Sequence, residues 1–410
     1  MEDIEVYSSY TGKDVLMGIL HSDILKGKQI YSFEYIDSYL KDNSNIMLDP
    51  DLFNGRGRQF VPEEKAIFGF LSDCAPDRWG RMLLKRKRRL LFPQEKQKEL
   101  HELDFILGVN DEARIGDLRF KYKNEKAFLN ADEKFAIPPL ENLRRLETAS
   151  LELEKKDEIY EKRWLEILLK PGSSLGGARP KATMKDVDGS LWIAKFPSKH
   201  DEIDSGAWEM VVNKLGVLCG LDVPKVALKK FNPLGSTFLS KRFDRVYKNT
   251  SIKRVHYASC MTLLGKIDGS SDASYLDILE LIKSLSFSPQ KDAKELWKRL
   301  LFNVLISNTD DHLRNHGFLL DEKGWHLSPL FDVNPNPLSS KLTLNITEDD
   351  NSKDATLALE TSRYYFLTLE NAEQIYTEMN EIIKKNWLST AKICGISKAE
   401  IDFMASSFPS

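Results

Sequence analysis

The chain has 410 residues, 41% of them hydrophobic and 30% charged, with a formal net charge of −3. That length can bury a large core and favours two or three domains, while so small a net charge provides no global attraction to nucleic acid or membrane and leaves only local patches to consider. Four scattered cysteines (Cys74, Cys219, Cys260, Cys394) with no C-x-x-C pair argue against zinc and against a disulfide framework, and fit a reducing cytoplasm.

The opening MEDIEVYSSYTG has neither the basic nor the apolar region of a signal peptide, and no stretch approaches the ~20 apolar residues that a membrane helix requires. Residues 1–60 read as β-rich: Ile4–Tyr7 and Val15–Leu20 flank a turn at Gly12, and Ile30–Ile36 alternates. From Glu63 to about Leu91 the apolar residues Ile67, Phe68, Leu71, Trp79, Leu83 and Leu84 recur at helical spacing, broken at Pro76. The basic block Lys85–Arg89 inside it reads as a solvated helix face or as a contact for an acidic partner, tRNA or operator DNA. Residues 140–170 are rich in Glu/Lys pairs at helical spacing and suggest a connecting helix without chemistry.

Next comes Pro171-Gly172-Ser173-Ser174-Leu175-Gly176-Gly177-Ala178-Arg179-Pro180-Lys181. Its glycines would let backbone N–H groups turn toward an anion. It fits neither the Walker pattern nor G-x-G-x-x-G, so alone it could be a plain turn. Two strands follow, 181–187 and 191–196, with Lys195 on the second. A glycine loop followed by a strand lysine is the order found in a kinase amino-terminal lobe. The helix expected over Asp204–Cys219 carries Glu209, the candidate partner for that lysine. Strands at 226–231 and 237–241 lead to Lys241, Arg242 and Phe243, where a linker would meet an adenine edge.

Beyond Asp244 the pattern is predominantly helical, with helices expected at 276–285, 289–307, 371–394 and 398–407. Thr347–Asp354 reads as an exposed, mobile loop. Between them, residues 300–337 hold the densest polar cluster: Asp310, Asp311, His312, Arg314, Asn315 and His316, then a hairpin that runs into Phe331 and Asp332. Phosphoryl transfer needs an Asp that orients the attacking hydroxyl, an Asn five residues later on magnesium, and a second Asp on the metal that bridges the phosphates. Asp310, Asn315 and Asp332 fit that order. Asp311 is the rival base, but five residues after it stands His316, a poor ligand for hard magnesium. On this reading Asp311→Ala is mild. Turn hydrogen bonds would account for any one of these residues taken alone.

The run Asn308-Thr309-Asp310-Asp311-His312-Leu313-Arg314-Asn315, with Leu330-Phe331-Asp332 after it, resembles the catalytic region of the HipA family of bacterial toxin serine/threonine kinases. YSFEY, CAPDRWGRMLL and KRFDR resemble other parts of the same family, so the likeness covers nearly the whole length. It implies an α+β, protein-kinase-like two-lobe fold divided as 1–130, 131–243 and 244–410. The resemblance further implies ATP and Mg2+ as cofactors. Asp310, Asn315, Asp332 and Lys195 would be catalytic, with Asn315 and Asp332 on the metal. Gly176, Gly177, Ala178, Arg179, Lys181, Lys241, Arg242, Phe243, His312 and Phe331 would join them around the nucleotide. Ser174, beside Ser173, would be the autophosphorylated residue. The family also implies a HipB-like helix-turn-helix antitoxin, operator DNA reached only through it, and an aminoacyl-tRNA synthetase as protein substrate, with no membrane. A small-molecule phosphotransferase, or a kinase fold that only binds within a repressor assembly, are the alternatives.

Overall fold

The computed structural model describes residues 3–26, 28–43, 45–92, 99–131, 137–155, 165, 167–168, 179–248, 251–270 and 272–410. These fall into two units, one of Met1–Ala194, Asp244–Ile267 and Leu319–Glu322, the other of Lys195–Phe243, Asp268–Phe318 and Lys323–Ser410. Both mix helix and strand, giving the α+β class. Among the described residues no helix is long and apolar enough to cross a membrane, and the four cysteines are free thiols.

The first unit is built on an antiparallel sheet of β1 (Ile4–Ser8), β2 (Val15–Leu25), β3 (Lys28–Tyr35), β4 (Gln59–Phe60) and β5 (Arg119–Tyr122), in the order β4-β3-β2-β1-β5. Along β1, Ile4, Val6 and Ser8 are buried while Glu5 and Tyr7 are less so, the period of two that the sequence shows. Gly12 closes the β1–β2 turn at φ +84°, a conformation that side chains resist. Asp117 then ties the turn down, accepting from Ser8 Oγ (2.5 Å), Ser9 N (2.9 Å) and His256 Nδ1 (2.5 Å). The expected 63–91 helix is two pieces, Gly69–Ser72 and Arg78–Leu91, because Asp77 after Pro76 caps the second by accepting from Gly80 N at 2.6 Å. The unit also holds β6 (Lys181–Lys185) and most of β7 (Leu191–Lys195), which flank a turn at Gly189.

Three strands here were not expected from the sequence: Arg245–Lys248 and Ser251–Arg254, which pair with each other, and His256–Ser259. Each is only four residues long, too short to show an alternation, and the first two carry Arg and Lys. Of the connecting helix, Leu143–Glu154 is described.

In the second unit β8 (Val226–Asn232) and β9 (Gly235–Lys241) form a hairpin, and the helix Ser205–Leu218 lies against β9. Asp204 makes that junction: its carboxylate accepts from Ala207 N (3.1 Å) as helix cap and from Ser236 N (2.8 Å) in β9. Gly206 permits the approach, since a Cβ there would stand 2.2 Å from Ser236 O. Helices Tyr275–Leu285, Pro289–Leu305, Leu369–Ile393 and Lys398–Met404 make up most of the rest. Ser274 and Asp277 form a capping box at the first, and Pro289 opens the second. Trp297 is fully buried, its indole N–H donating to Ala358 O at 2.7 Å.

The 347–354 segment is tied down rather than free. Ile346 N donates to Asp350 O (2.7 Å), Lys353 N to Ser340 O (3.2 Å), and the Lys353 ammonium to Ser307 Oγ (2.9 Å). Glu348, Asp349 and Asp354 are exposed, as the composition suggested, while the backbone of the segment is hydrogen-bonded to its neighbours.

Gly206→Ala should lower the unfolding free energy by about 2 kcal/mol, because the obstacle is backbone and the helix must shift. A denaturant titration checks this, and Glu209 should be displaced with the helix.

Candidate active site

Lys195 ends β7, and its ammonium meets Glu209 Oε1 at 2.6 Å and Asp332 Oδ1 at 2.5 Å. Glu209 stands in the second turn of the Ser205–Leu218 helix, whose capped docking on β9 fixes its height. The Glu209 side chain is 10% exposed and that of Asp332 is 37% exposed, so Glu209 is the inner partner and Asp332 the one open to a ligand. Burial works against the charge on Lys195, but the carboxylates of Asp332 and Glu209 outweigh it and raise the ammonium's pKa above the ordinary lysine value. Asp332 itself sits at φ +58°, a left-handed conformation that Asp tolerates better than most side chains. The next-door Phe331 ring lies 5.5 Å from that of Phe243, which brings two of the expected nucleotide residues together.

The polar loop starts where the Pro289–Leu305 helix stops. Ser307 takes φ +55°, and Asn308 N donates back to Asn303 O at 2.9 Å. Thr309 O then accepts from Thr343 N (3.1 Å) and Oγ1 (2.9 Å), while Asn336 Nδ2 donates to Thr309 Oγ1 at 2.9 Å. The Asp310 side chain is exposed. Its backbone carbonyl accepts from Asn315 Nδ2 at 3.2 Å, a contact that orients the carboxamide. Among the described residues no bond to Asn315 Oδ1 is present, which leaves an oxygen for a hard cation. A short turn, Leu313–Asn315, is closed by Asn315 N donating to His312 O at 2.8 Å. His312 is half-buried, with Nδ1 unpartnered among the described residues.

Magnesium favours oxygen donors and is held by one or two protein ligands plus phosphate oxygens. The donor set of Asn315 and Asp332 suits it, and among the described residues no three His, Cys, Asp or Glu side chains gather into a cage for another metal.

Other expected nucleotide residues are placed as follows. Lys241 N donates to Lys225 O at 2.8 Å and Arg242 is 3% exposed. Lys181 is buried with its ammonium 3.1 Å from the carboxylate of Asp77, the helix-capping residue of its own unit. Burial pushes the Asp77 carboxyl up to about 6, opposed by Lys181. Arg179 is half-buried. Ser174, Gly176, Gly177 and Ala178 lie outside the described residues.

Asp311 turns inward, 1% exposed. Its Oδ2 accepts from the Tyr275 hydroxyl, Asn303 Nδ2 (2.9 Å) and His316 Nε2 (2.7 Å). Burial raises its pKa, but His316 and the Tyr275 bond outweigh that and hold the carboxyl below the usual range. The mild effect expected of Asp311→Ala concerned transfer; for the fold, three buried donors would lose their acceptor. The variant should cost about 3 kcal/mol or more in a urea titration of the purified chain.

A family model described as the HipA-like C-terminal domain matches residues 173–387. The protein named "Putative kinase Y4mE" from Sinorhizobium fredii is 28% identical over 183 residues, covering 39% of this chain and 41% of that one. A second relative, named "Putative kinase", from Haemophilus influenzae, is 28% identical over 197 residues, covering 42% and 57%. The chain thus spans between about two fifths and three fifths of the length of these curated relatives. Among solved structures, the Shewanella oneidensis HipA, HipB and operator DNA complex aligns over 98% of this chain and 94% of the matched one, with TM-score 0.70 and 15% identity, a likeness of fold. The matched model covers more than half of the chain, including Lys195, Glu209, Asp310, Asn315 and Asp332, and the chain belongs to the family defined by the HipA-like C-terminal domain.

Proposed function

We propose that this protein is an ATP-dependent serine/threonine protein kinase of the HipA type. The observation that carries the reading is the Lys195 ammonium held between Glu209 and Asp332. A strand lysine paired by a helix glutamate, beside an aspartate that follows the catalytic loop, is the arrangement kinases use to hold the α/β-phosphates and their metal. The kinase names of the curated relatives agree with it.

In this reading Lys195 neutralises the α/β-phosphates while Glu209 keeps its side chain extended. Asp332 and Asn315 would hold magnesium, which when bound neutralises charge on the β- and γ-phosphate oxygens. Asp310, exposed at the loop's edge, orients the substrate hydroxyl and accepts its proton. His312 orients the loop through its carbonyl bond to Asn315 N. Phe243 and Phe331 would offer apolar surface to the adenine, with Lys241 and Arg242 beside them. Gly176, Gly177, Ala178 and Arg179 would supply backbone donors to the phosphates, and Ser174 would be the autophosphorylated residue. Lys181 serves that segment through its anchorage on Asp77. By family pattern the protein acts in the cytoplasm on a protein target of the aminoacyl-tRNA synthetase class and is neutralised by a HipB-like antitoxin, which alone would contact operator DNA.

With the full chain and Mg-ATP, transfer of the γ-phosphate should be abolished in Asp310→Ala with nucleotide binding retained. Asp332→Ala should lose transfer and also bind Mg-ATP more weakly, because a metal ligand is gone. Full transfer by Asp310→Ala would refute the base assignment. Phosphosite mapping after incubation with Mg-ATP should find Ser174, and a site elsewhere with none on Ser174 would refute that part.

A further inference from the structure

The two residues proposed for chemistry on the loop, the exposed Asp310 and the buried Asn315, are each followed by a buried residue. Asp311 and His316 are 1% and 0% exposed, and they are joined by the 2.7 Å bond from His316 Nε2 to Asp311 Oδ2. The bond therefore spans the same five-residue interval that separates Asp310 from Asn315, one position further along. It is anchored beneath by two helices. Tyr275, first residue of the Tyr275–Leu285 helix, donates its hydroxyl to Asp311 Oδ2 and meets the His316 ring edge-on at 5.7 Å. Asn303, near the end of the Pro289–Leu305 helix, donates Nδ2 to the same oxygen at 2.9 Å and accepts from Asn308 Nδ2 at 3.1 Å through Oδ1.

A five-residue polar loop left to itself samples many conformations, and ordering it costs conformational entropy at each residue. Here both ends of the interval are fixed to the helical core, next to Asp310, whose side chain is exposed, and Asn315, whose buried carboxamide donates to Asp310 O. We propose that Asp311 and His316 are positioning residues: a buried clamp that sets the separation and orientation of Asp310 and Asn315. The functional part of this proposal rests on the kinase reading above. Neither residue touches nucleotide or substrate, and the clamp acts through the backbone. His316 Nδ1 and Asp311 Oδ1 have no partner among the described residues, so the Nε2–Oδ2 bond with its two helix donors carries the connection.

Two His316 substitutions separate the ring from the donor. His316→Phe keeps a ring against Tyr275 but cannot donate to Asp311, whereas His316→Gln keeps an amide donor and loses the ring. The readouts are steady-state γ-phosphate transfer and hydrogen exchange across Asn308–Gly317, with Ile383→Val, a buried core residue of the Leu369–Ile393 helix outside the clamp, as a stability control. In His316→Phe, kcat should fall roughly 10- to 100-fold while the KM for ATP moves less than about threefold, because Lys195, Glu209 and Asp332 are untouched. His316→Gln should recover part of that loss, and Ile383→Val should keep wild-type kcat. The Asn315 amide should lose protection in His316→Phe and not in Ile383→Val. An unchanged exchange pattern in His316→Phe overturns the clamp whatever kcat does, as does wild-type kcat in that variant. A wild-type chain that transfers no phosphate would instead refute the kinase reading, and exchange would still decide whether the clamp exists.

Discussion

A largely buried ammonium is the constraint around which the second unit is arranged. Lys195 keeps its charge there only because two carboxylates lie within hydrogen-bond distance, and removing a charge's partner in such surroundings is far more costly than weakening a surface pair. The two carboxylates come from unrelated parts of the chain, 14 and 137 residues away. Each must be delivered by its own local structure. For Glu209 that is a capped helix held on β9 through Asp204 and Gly206; for Asp332 it is a left-handed residue after the Gly317–Leu327 hairpin region. The two also differ in access. Glu209 is enclosed beside the lysine, while Asp332 is the more open of the two and in the proposed function would take the metal.

The loop from Ser307 to His316 repeats this division between holding and acting. Its inward residues are all committed: Asn308 to Asn303, Thr309 to Asn336 and Thr343, Asp311 to Tyr275, Asn303 and His316. The exposed Asp310 and the free oxygen of Asn315 are what remains for a ligand. Rigid support beneath a small polar set is what phosphoryl transfer would ask of a protein, since its contribution is mainly positioning and charge.

Much of this was legible in the residues because it rests on local patterns. The short strand that carries Lys195, helical spacing around Glu209, and the Asp310–Asn315 interval each depend on residues close in sequence. The clamp was not legible for an instructive reason. Asp311 and His316 share the spacing of Asp310 and Asn315, so the sequence offers two interleaved pairs, and only burial tells which faces in. The ion pair of Lys181 was also hidden, since Asp77 stands over a hundred residues earlier and no local pattern links them. The strands at 245–259 escaped notice because each is only four residues long.

The account turns on Lys195, Glu209 and Asp332 forming one nucleotide and metal site. Equilibrium binding of ATP to the wild-type chain, with and without Mg2+, and to a folded Lys195→Met variant tests this most directly. The account predicts binding that strengthens with Mg2+ in the wild type and is lost in the variant. Binding indifferent to Mg2+, and unchanged without the lysine, would contradict it.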